Sequence, residues 1–390
     1  MFQLSNNELE KMGAANTTRE IKQQPELWEM AFQNYLQQEA AIQDFLETVK
    51  ASADGKVRVV FTGAGTSQYV GDTIKPYLVK EGDSDNYIFE SLATTDIVAS
   101  PTECLFEDQT TLLVSFARSG NSPESTAAVE IANAYVKNIF HLTITCAKDG
   151  NLAKAAIDDE RNFLLLTPAK SNDAGFAMTG SFSCMTLMAL LVFDQTATKI
   201  KEDYVKTLIQ LGSEVIKREN EIKEILAVDY ERIVYLGSGS LAGLTREAQL
   251  KVLELTAGKV ATVFDSSMGF RHGPKSFINH KTLLFVFVNN DEYTRQYDLD
   301  ILEEVAGDKI APQVIGISQN GNKQFTGTNF TFEASQTLLS DGYLALADIM
   351  VAQTIALLTS IKCENTPDTP SPTGTVNRVV KGVTIHEFAN

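Results

Sequence analysis

The chain has 390 residues, 44% of them apolar, and its 33 Lys and Arg face 50 Asp and Glu for a formal net charge of -17. Such acidity excludes nucleic acid and anionic membrane as partners, because both require a basic footprint. No apolar run approaches the ~20 residues of a membrane span, and Met1 to Glu10 is too polar for a signal peptide, so a soluble, cytoplasmic protein is expected.

The length suggests two domains with sizeable cores. Residues 1–50 read as an N-terminal helical arm in which Trp28, Phe32, Leu36, Ile42, Phe45, Leu46 and Val49 recur at helical spacing, with Trp28 as a packing anchor. Residues 51–198 alternate helix-length segments with short apolar runs at 57–61, 87–89, 112–116, 140–144 and 163–166. Continuously apolar runs indicate strands buried on both faces, and their alternation with helices indicates a parallel sheet.

A connecting helix, 199–228, leads into residues 229–365. There Arg232-Ile233-Val234-Tyr235-Leu236-Gly237-Ser238-Gly239-Ser240 repeats Arg58-Val59-Val60-Phe61-Thr62-Gly63-Ala64-Gly65-Thr66. Strands expected at 261–264, 283–288, 314–317 and 330–332 complete the copy. The fold class is therefore α/β: two tandem doubly wound parallel-sheet domains with flanking helices. A C-terminal helix at 344–358 is followed by a tail, 366–390, with Pro367, Pro370 and Pro372. Its end, 378–388, reads as strand-like, with apolar residues that need burial.

Cys104, Cys146, Cys184 and Cys363 lie far apart and read as reduced core thiols, and the four histidines form no zinc constellation. The loop 115–125 is more informative. Ser115, Ser119, Ser122 and Ser125 surround Gly120, Asn121 and Pro123 where a strand gives way to a helix. Hydroxyls and free amides at a helix start suit an anion; the plainer alternative is a turn with Asn121 or Ser122 as N-cap and Pro123 at the first helical position. The loop Gly63-Ala64-Gly65-Thr66-Ser67 opens like a dinucleotide fingerprint but lacks the third glycine at the required spacing, so a single phosphate suits it better.

In the second half, Lys251 and Glu254 are three apart and share a helix face, either as chemistry or as a solvated salt bridge. His272 is pinned by Gly273 and Pro274; since imidazole is the side chain suited to proton transfer near neutral pH, it reads as an acid–base group or as a structural loop histidine.

Taken in order, Gly65-Thr66-Ser67, Ser119-Gly120-Asn121-Ser122, Lys251-x-x-Glu254, His272-Gly273-Pro274 and Lys381-Gly382-Val383-Thr384 resemble a tandem sugar isomerase (SIS) protein over nearly the whole chain. The best-known relative is the isomerase half of glucosamine-6-phosphate synthase. That resemblance implies a phosphate held by Thr66, Ser67, Ser119, Asn121 and Ser122, with Arg118 as a further candidate. It implies Glu254 as the base between C2 and C1, His272 in ring opening, and Lys251 and Lys381 at the sugar end. Gly65, Met178 and Thr179 would contact the sugar. A homodimer that shares the His272 loop between subunits is implied as well, with no metal and no cofactor.

This chain departs from the synthase in two ways. Ala117-Arg118-Ser119 stands where the synthase has Ser-Gln-Ser, and no glutaminase segment with an N-terminal cysteine is present, so synthesis from glutamine is not expected. Three stretches are similar instead to galactosamine-6-phosphate deaminase/isomerase, also called tagatose-6-phosphate ketose/aldose isomerase. They are 115–125, Ser171-Asn172-Asp173 with Phe176-Ala177-Met178-Thr179, and Asn377-Arg378-Val379-Val380. The implied reaction takes galactosamine 6-phosphate and water to tagatose 6-phosphate and ammonia. A plain aldose/ketose isomerase and a non-catalytic sugar-phosphate sensor stay open as alternatives, with a dinucleotide oxidoreductase more distant.

Overall fold

A computed structural model describes every residue except Asn320, Asn322, Gln336, Val379, Val380, Lys381, Ala389 and Asn390. The chain folds into two compact units. One comprises Leu27–Asp173, Gly180–Thr198 and Asn377–Asn390; the other comprises Met1–Glu26, Ala174–Thr179 and Lys199–Val376.

Helices α1 (Asn6–Lys11), α2 (Ala15–Lys22) and α3 (Gln24–Ala51) precede the first strand. The first unit then builds a parallel sheet from β1 (Val57–Gly63), β2 (Tyr87–Ala93), β3 (Thr111–Ala117), β4 (Ile139–Thr145) and β5 (Asn162–Leu166), in the order β2-β1-β3-β4-β5. Every residue of β1, β3 and β4 is buried, as the unbroken apolar runs require of strands covered on both faces. The covering helices are α4 (Thr66–Glu81), α5 (Thr94–Ala99), α6 (Pro101–Cys104), α7 (Pro123–Tyr135), α8 (Asn151–Ala156) and α9 (Gly180–Phe193). Helix α9 is apolar all round and buried at every residue, so it is a core helix rather than an amphipathic cover. Its Phe193 meets Phe61 edge-on at 5.4 Å, and Phe61 stacks on Phe89 and Phe116. Trp28 is fully buried and donates its indole N–H to Ser183 Oγ at 3.0 Å, the packing role expected of it.

The second unit has the same strand order. Strands β6 (Arg232–Gly237), β7 (Ala261–Ser266), β8 (Thr282–Phe287), β9 (Gln313–Gln319) and β10 (Thr328–Phe332) run parallel as β10-β9-β8-β6-β7. Helices α10 (Thr198–Lys217), α11 (Glu219–Ile225), α12 (Ser240–Leu255), α13 (Glu292–Asp308) and α14 (Asp341–Lys362) surround it. The sequence repeat extends to side-chain detail. Tyr235 stacks on Phe285 and Phe287, as Phe61 stacks on its neighbours. Arg58 lies 4.6 Å over the Phe106 ring and Arg232 lies 4.7 Å over that of Phe277.

Three expectations change. The connecting segment is two helices, separated at Arg218, whose backbone (φ -102°, ψ 22°) departs from helical geometry and whose side chain pairs with Glu214 and Glu221. One described helix, α14, is long and apolar enough to cross a membrane by length and composition, yet 89% of its apolar window is buried within the protein. The tail is not a strand over the described residues Gly382 to Phe388. Most of them are exposed, and burial falls to Ile385 and Phe388 alone. The four cysteines are free thiols; three are buried, and burial pushes the Cys146 thiol up to about 11.

Candidate active site

In the first unit the strand order reverses between β1 and β3, which pair in parallel. Such a switch point leaves a crevice beyond the carboxyl ends of the two strands, where doubly wound sheets bind ligands. Both hydroxyl-rich loops open there, one after β1 and one after β3. Thr66 and Ser67 form the first turn of α4, and Gly65 before them is exposed. In the second loop Ser122 is the N-cap of α7 with Pro123 at its first position. The Ser122 hydroxyl makes no capping bond and lies 2.8 Å from Ser125 Oγ. Ser119 and Ser122 are half-buried beside the helix N-terminus rather than locked in the core.

Neighbouring segments shape this loop. The Asn121 side-chain carbonyl accepts from the Asn151 amide at 2.9 Å, and the Gly120 carbonyl accepts from Leu152 N at 3.1 Å, tying the loop to the start of α8. Gly150 passes so close that a Cβ there would sit 2.4 Å from the Ser119 carbonyl oxygen, which only glycine allows. Arg118 is turned away from solvent, 7% exposed, and donates through Nη2 to the Arg378 carbonyl at 2.6 Å. Arg378 in turn donates from Nε to the Asp173 carbonyl at 3.0 Å and from Nη2 to Asn172 Oδ1 at 3.3 Å. The Asp173 carboxylate caps α9, taking the amides of Gly180 and Ser181. Arg118, Arg378 and the Asn172–Asp173 pair, drawn from the three stretches that set this sequence apart from the synthase, thus meet in one network.

The second unit holds the candidate proton-transfer groups. Lys251 is 1% exposed, and its ammonium lies 2.7 Å from Glu254 and 3.3 Å from Glu247, which is wholly buried. The solvated salt bridge is therefore set aside. Burial works to lower the Lys251 pKa, but the two carboxylates outweigh it and the net direction is up. Lys251 thus stays an ammonium, directing one Glu254 oxygen while the rest of that side chain, 24% exposed, faces an open pocket of about 550 Å³. Phe176, Leu253 and the segment from Pro370 to Val376 complete its walls. The loop carrying Phe176, Met178 and Thr179 is held by Glu20, whose carboxylate accepts from Ala174 N at 2.7 Å. Met178 is half-buried and Thr179 is 1% exposed.

His272 is exposed on a loop of two short 3-10 turns, Gly269–Arg271 and Pro274–Phe277. Phe270 anchors the loop in the core, and Arg271 and Lys275 both pair with Glu304 of α13. Gly273 has φ +125°, a conformation that side-chain-bearing residues avoid. Lys381 lies outside the described residues.

Sequence reasoning missed Glu247, four residues before Lys251 on the same helix face, although that spacing was a signal. It also missed Asp298 and Asp341, which fill the corresponding switch point of the second sheet. Asp341 Oδ2 accepts from Ser240 N, and Asp298 accepts from Ser238, Ser267 and Asn289 N.

The SIS domain family matches residues 53–193. A D-galactosamine-6-phosphate deaminase AgaS of Escherichia coli is 42% identical over 375 residues, spanning 95% of this chain and 96% of its own. The chain belongs to the SIS domain family and, within it, to the family of that AgaS protein. A solved tagatose-6-phosphate ketose/aldose isomerase from Escherichia coli superposes on this SIS protein with a TM-score of 0.86 and 39% identity, over 96% of this chain and 97% of the other. The C-terminal domain of glucosamine-fructose-6-phosphate aminotransferase from Francisella tularensis shares the fold at a TM-score of 0.71 and 18% identity, over 89% and 96% of the two chains. The fold class and family expected from the sequence are both borne out.

Proposed function

We propose that this SIS protein converts D-galactosamine 6-phosphate and water to D-tagatose 6-phosphate and ammonia. The observation that carries the reading is the identity of 42%, over 95% of the chain, to a protein named as a D-galactosamine-6-phosphate deaminase. A structural relative named for tagatose 6-phosphate supplies the matching ketose.

In this reading Thr66, Ser67, Ser119 and Ser122 hold the phosphate, and Gly65, Met178 and Thr179 contact the sugar. Asn121 shapes the phosphate loop through α8. Phosphate binding then places C1 and C2 for reaction. His272 protonates the ring oxygen as the hemiacetal opens. Glu254 takes the proton from C2 and returns it at C1, so the aldosamine passes through an enolamine to a ketimine. Water adds at C2, the carbon–nitrogen bond breaks, and the ketose and ammonia leave. Lys251 supports this role by holding one Glu254 oxygen at 2.7 Å and so aiming the carboxylate, and Lys381 belongs at the sugar end by family resemblance alone.

The reading includes a homodimer in which His272 serves the neighbouring subunit, supported by its exposure on a stapled loop. Mixing His272→Ala with Glu254→Gln chains should restore activity in hybrid dimers; no recovery would remove the sharing. A cytoplasmic location is supported by four free thiols, which suit a reducing compartment. The deciding experiment offers galactosamine 6-phosphate and glucosamine 6-phosphate side by side. One ammonia per ketose, formed faster from the galacto sugar, is expected. Ketose formation from an aldose phosphate without ammonia would replace the reading with a plain isomerase.

A further inference from the structure

Arg118 sits immediately before Ser119, where a guanidinium beside a phosphate loop invites assignment as a phosphate ligand. Its contacts point elsewhere. The side chain is 7% exposed, and Nη2 is engaged with the main-chain carbonyl of Arg378. Arg378 is itself exposed, but it spends its own guanidinium on the carbonyl of Asp173 and the side chain of Asn172. Asp173 is fully buried and closes the N-terminus of α9. One chain of hydrogen bonds therefore runs from the end of β3, through the C-terminal tail, to the start of α9.

The tail has a second fastening. Phe388 packs on the cluster that contains Ala128, Ile131 and Ala132 of α7, and its ring meets Tyr135 edge-on at 6.0 Å. Helix α7 is the helix that the phosphate loop opens. The Arg118 end of the hydrogen-bond chain and the Phe388 contact thus lie on elements that bracket Ser119 and Ser122. The other described residues from Gly382 to Glu387 are exposed apart from Ile385, so little besides these two fastenings holds the segment.

We propose that Arg118 and Arg378 are positioning residues that clamp the C-terminal tail to the phosphate loop, holding both in one arrangement before substrate arrives. The role in turnover rests on the reading above that Ser119 and Ser122 take the phosphate; the clamp itself does not. Preorganisation of this kind lowers the ordering cost of binding and keeps the reacting carbons in register. A buried guanidinium is suited to the task, because removing it leaves a carbonyl without its donor and frees the tail at the same stroke.

The test is a double-mutant cycle with two readouts, using the full-length protein. Arg118→Ala and Arg378→Ala should each lower kcat/KM for galactosamine 6-phosphate by about 10- to 100-fold, and the double variant should be no worse than the poorer single one, since both remove one device. Hydrogen exchange of the tail, 382–388, should accelerate to the same degree in both, and Arg118→Lys should restore part of the protection. Multiplicative losses in the double variant would overturn the clamp. So would weaker inhibition by inorganic phosphate in Arg118→Ala alone, with tail exchange unchanged, because that pattern belongs to a direct phosphate ligand. Arg378 is exposed, so its variant folds even where the Arg118 variant does not. If the wild-type protein fails to release ammonia from the sugar phosphate, the functional reading falls, and the exchange experiment still decides the clamp.

Discussion

Asp341 Oδ2 lies 2.9 Å from the amide nitrogen of Ser240, at the N-terminus of α12. In the first sheet the corresponding position, the start of α4, follows a glycine of nearly the same backbone geometry, φ 57° at Gly65 against φ 61° at Gly239. The second copy of the loop is therefore filled by the protein's own carboxylate. Titration calorimetry of a sugar phosphate with the Glu254→Gln variant should give one ligand per chain; two would mean that the second switch point is open. Asp341→Ala should cost about 1–2 kcal/mol of stability, the scale of a lost helix cap.

Glu254→Gln keeps the shape of the side chain and removes its basicity. The expected loss in kcat is about 10²–10⁴-fold, the range of a general base, with inhibition by inorganic phosphate nearly unchanged. Steady-state kinetics decides the assignment. A variant with near-normal kcat would end the role of Glu254.

Lys251 joins two carboxylates in a fully buried position, so its loss is a stability event as well as a catalytic one. Lys251→Met should destabilise by about 3–5 kcal/mol in urea unfolding, because Glu247 is left charged and buried. Adding Glu247→Leu should return most of that loss. If the single variant is as stable as the parent, the pair does not act as a buried ion cluster.

Gly150 tests the phosphate loop without touching a hydroxyl. Its backbone, φ -71° and ψ 157°, suits alanine, so the obstacle is the Ser119 carbonyl oxygen 2.4 Å from the new Cβ. Gly150→Ala should raise KM for the sugar phosphate by roughly tenfold with kcat nearly retained, at a stability cost of about 1–3 kcal/mol. A changed kcat with normal KM would place the phosphate elsewhere.

Burial raises the Asp298 carboxyl from 3.8 to about 6, against the opposing hydrogen bonds from Ser238, Ser267 and the Asn289 amide; Asp341 nearby adds to the rise. The folded state therefore holds a proton that the unfolded chain has lost, and the stability due to this group falls as pH rises from about 4 to about 6. Asp298→Asn does not titrate, so its deficit relative to the parent should be largest near pH 4 and shrink by on the order of 3 kcal/mol by pH 6. His141 is held neutral by burial and acts in the opposite sense, so the variant-minus-parent difference is the quantity to follow. A pH-independent difference would show that Asp298 ionises normally.

The sequence by itself determined the two sheets, their repeat and the order of the motifs. Strands buried on both faces read as predominantly apolar runs, and a tandem copy reproduces even Arg58 and Phe61 as Arg232 and Tyr235. The hydroxyl loops and the Lys251–Glu254 pair were legible because short-range spacing places them at helix starts and on one helix face. Only the tertiary structure decided what those side chains do. Lys251 lost its solvated alternative because helix packing buries it beside Glu247. Arg118 found its partner 260 residues away, at Arg378. The second phosphate-like loop was closed by Asp341, about a hundred positions after the glycine it faces. Partners so distant leave no periodic trace in the chain, because their pairing is set by where the sheet and its helices bring the backbone, not by any local preference of the residues themselves.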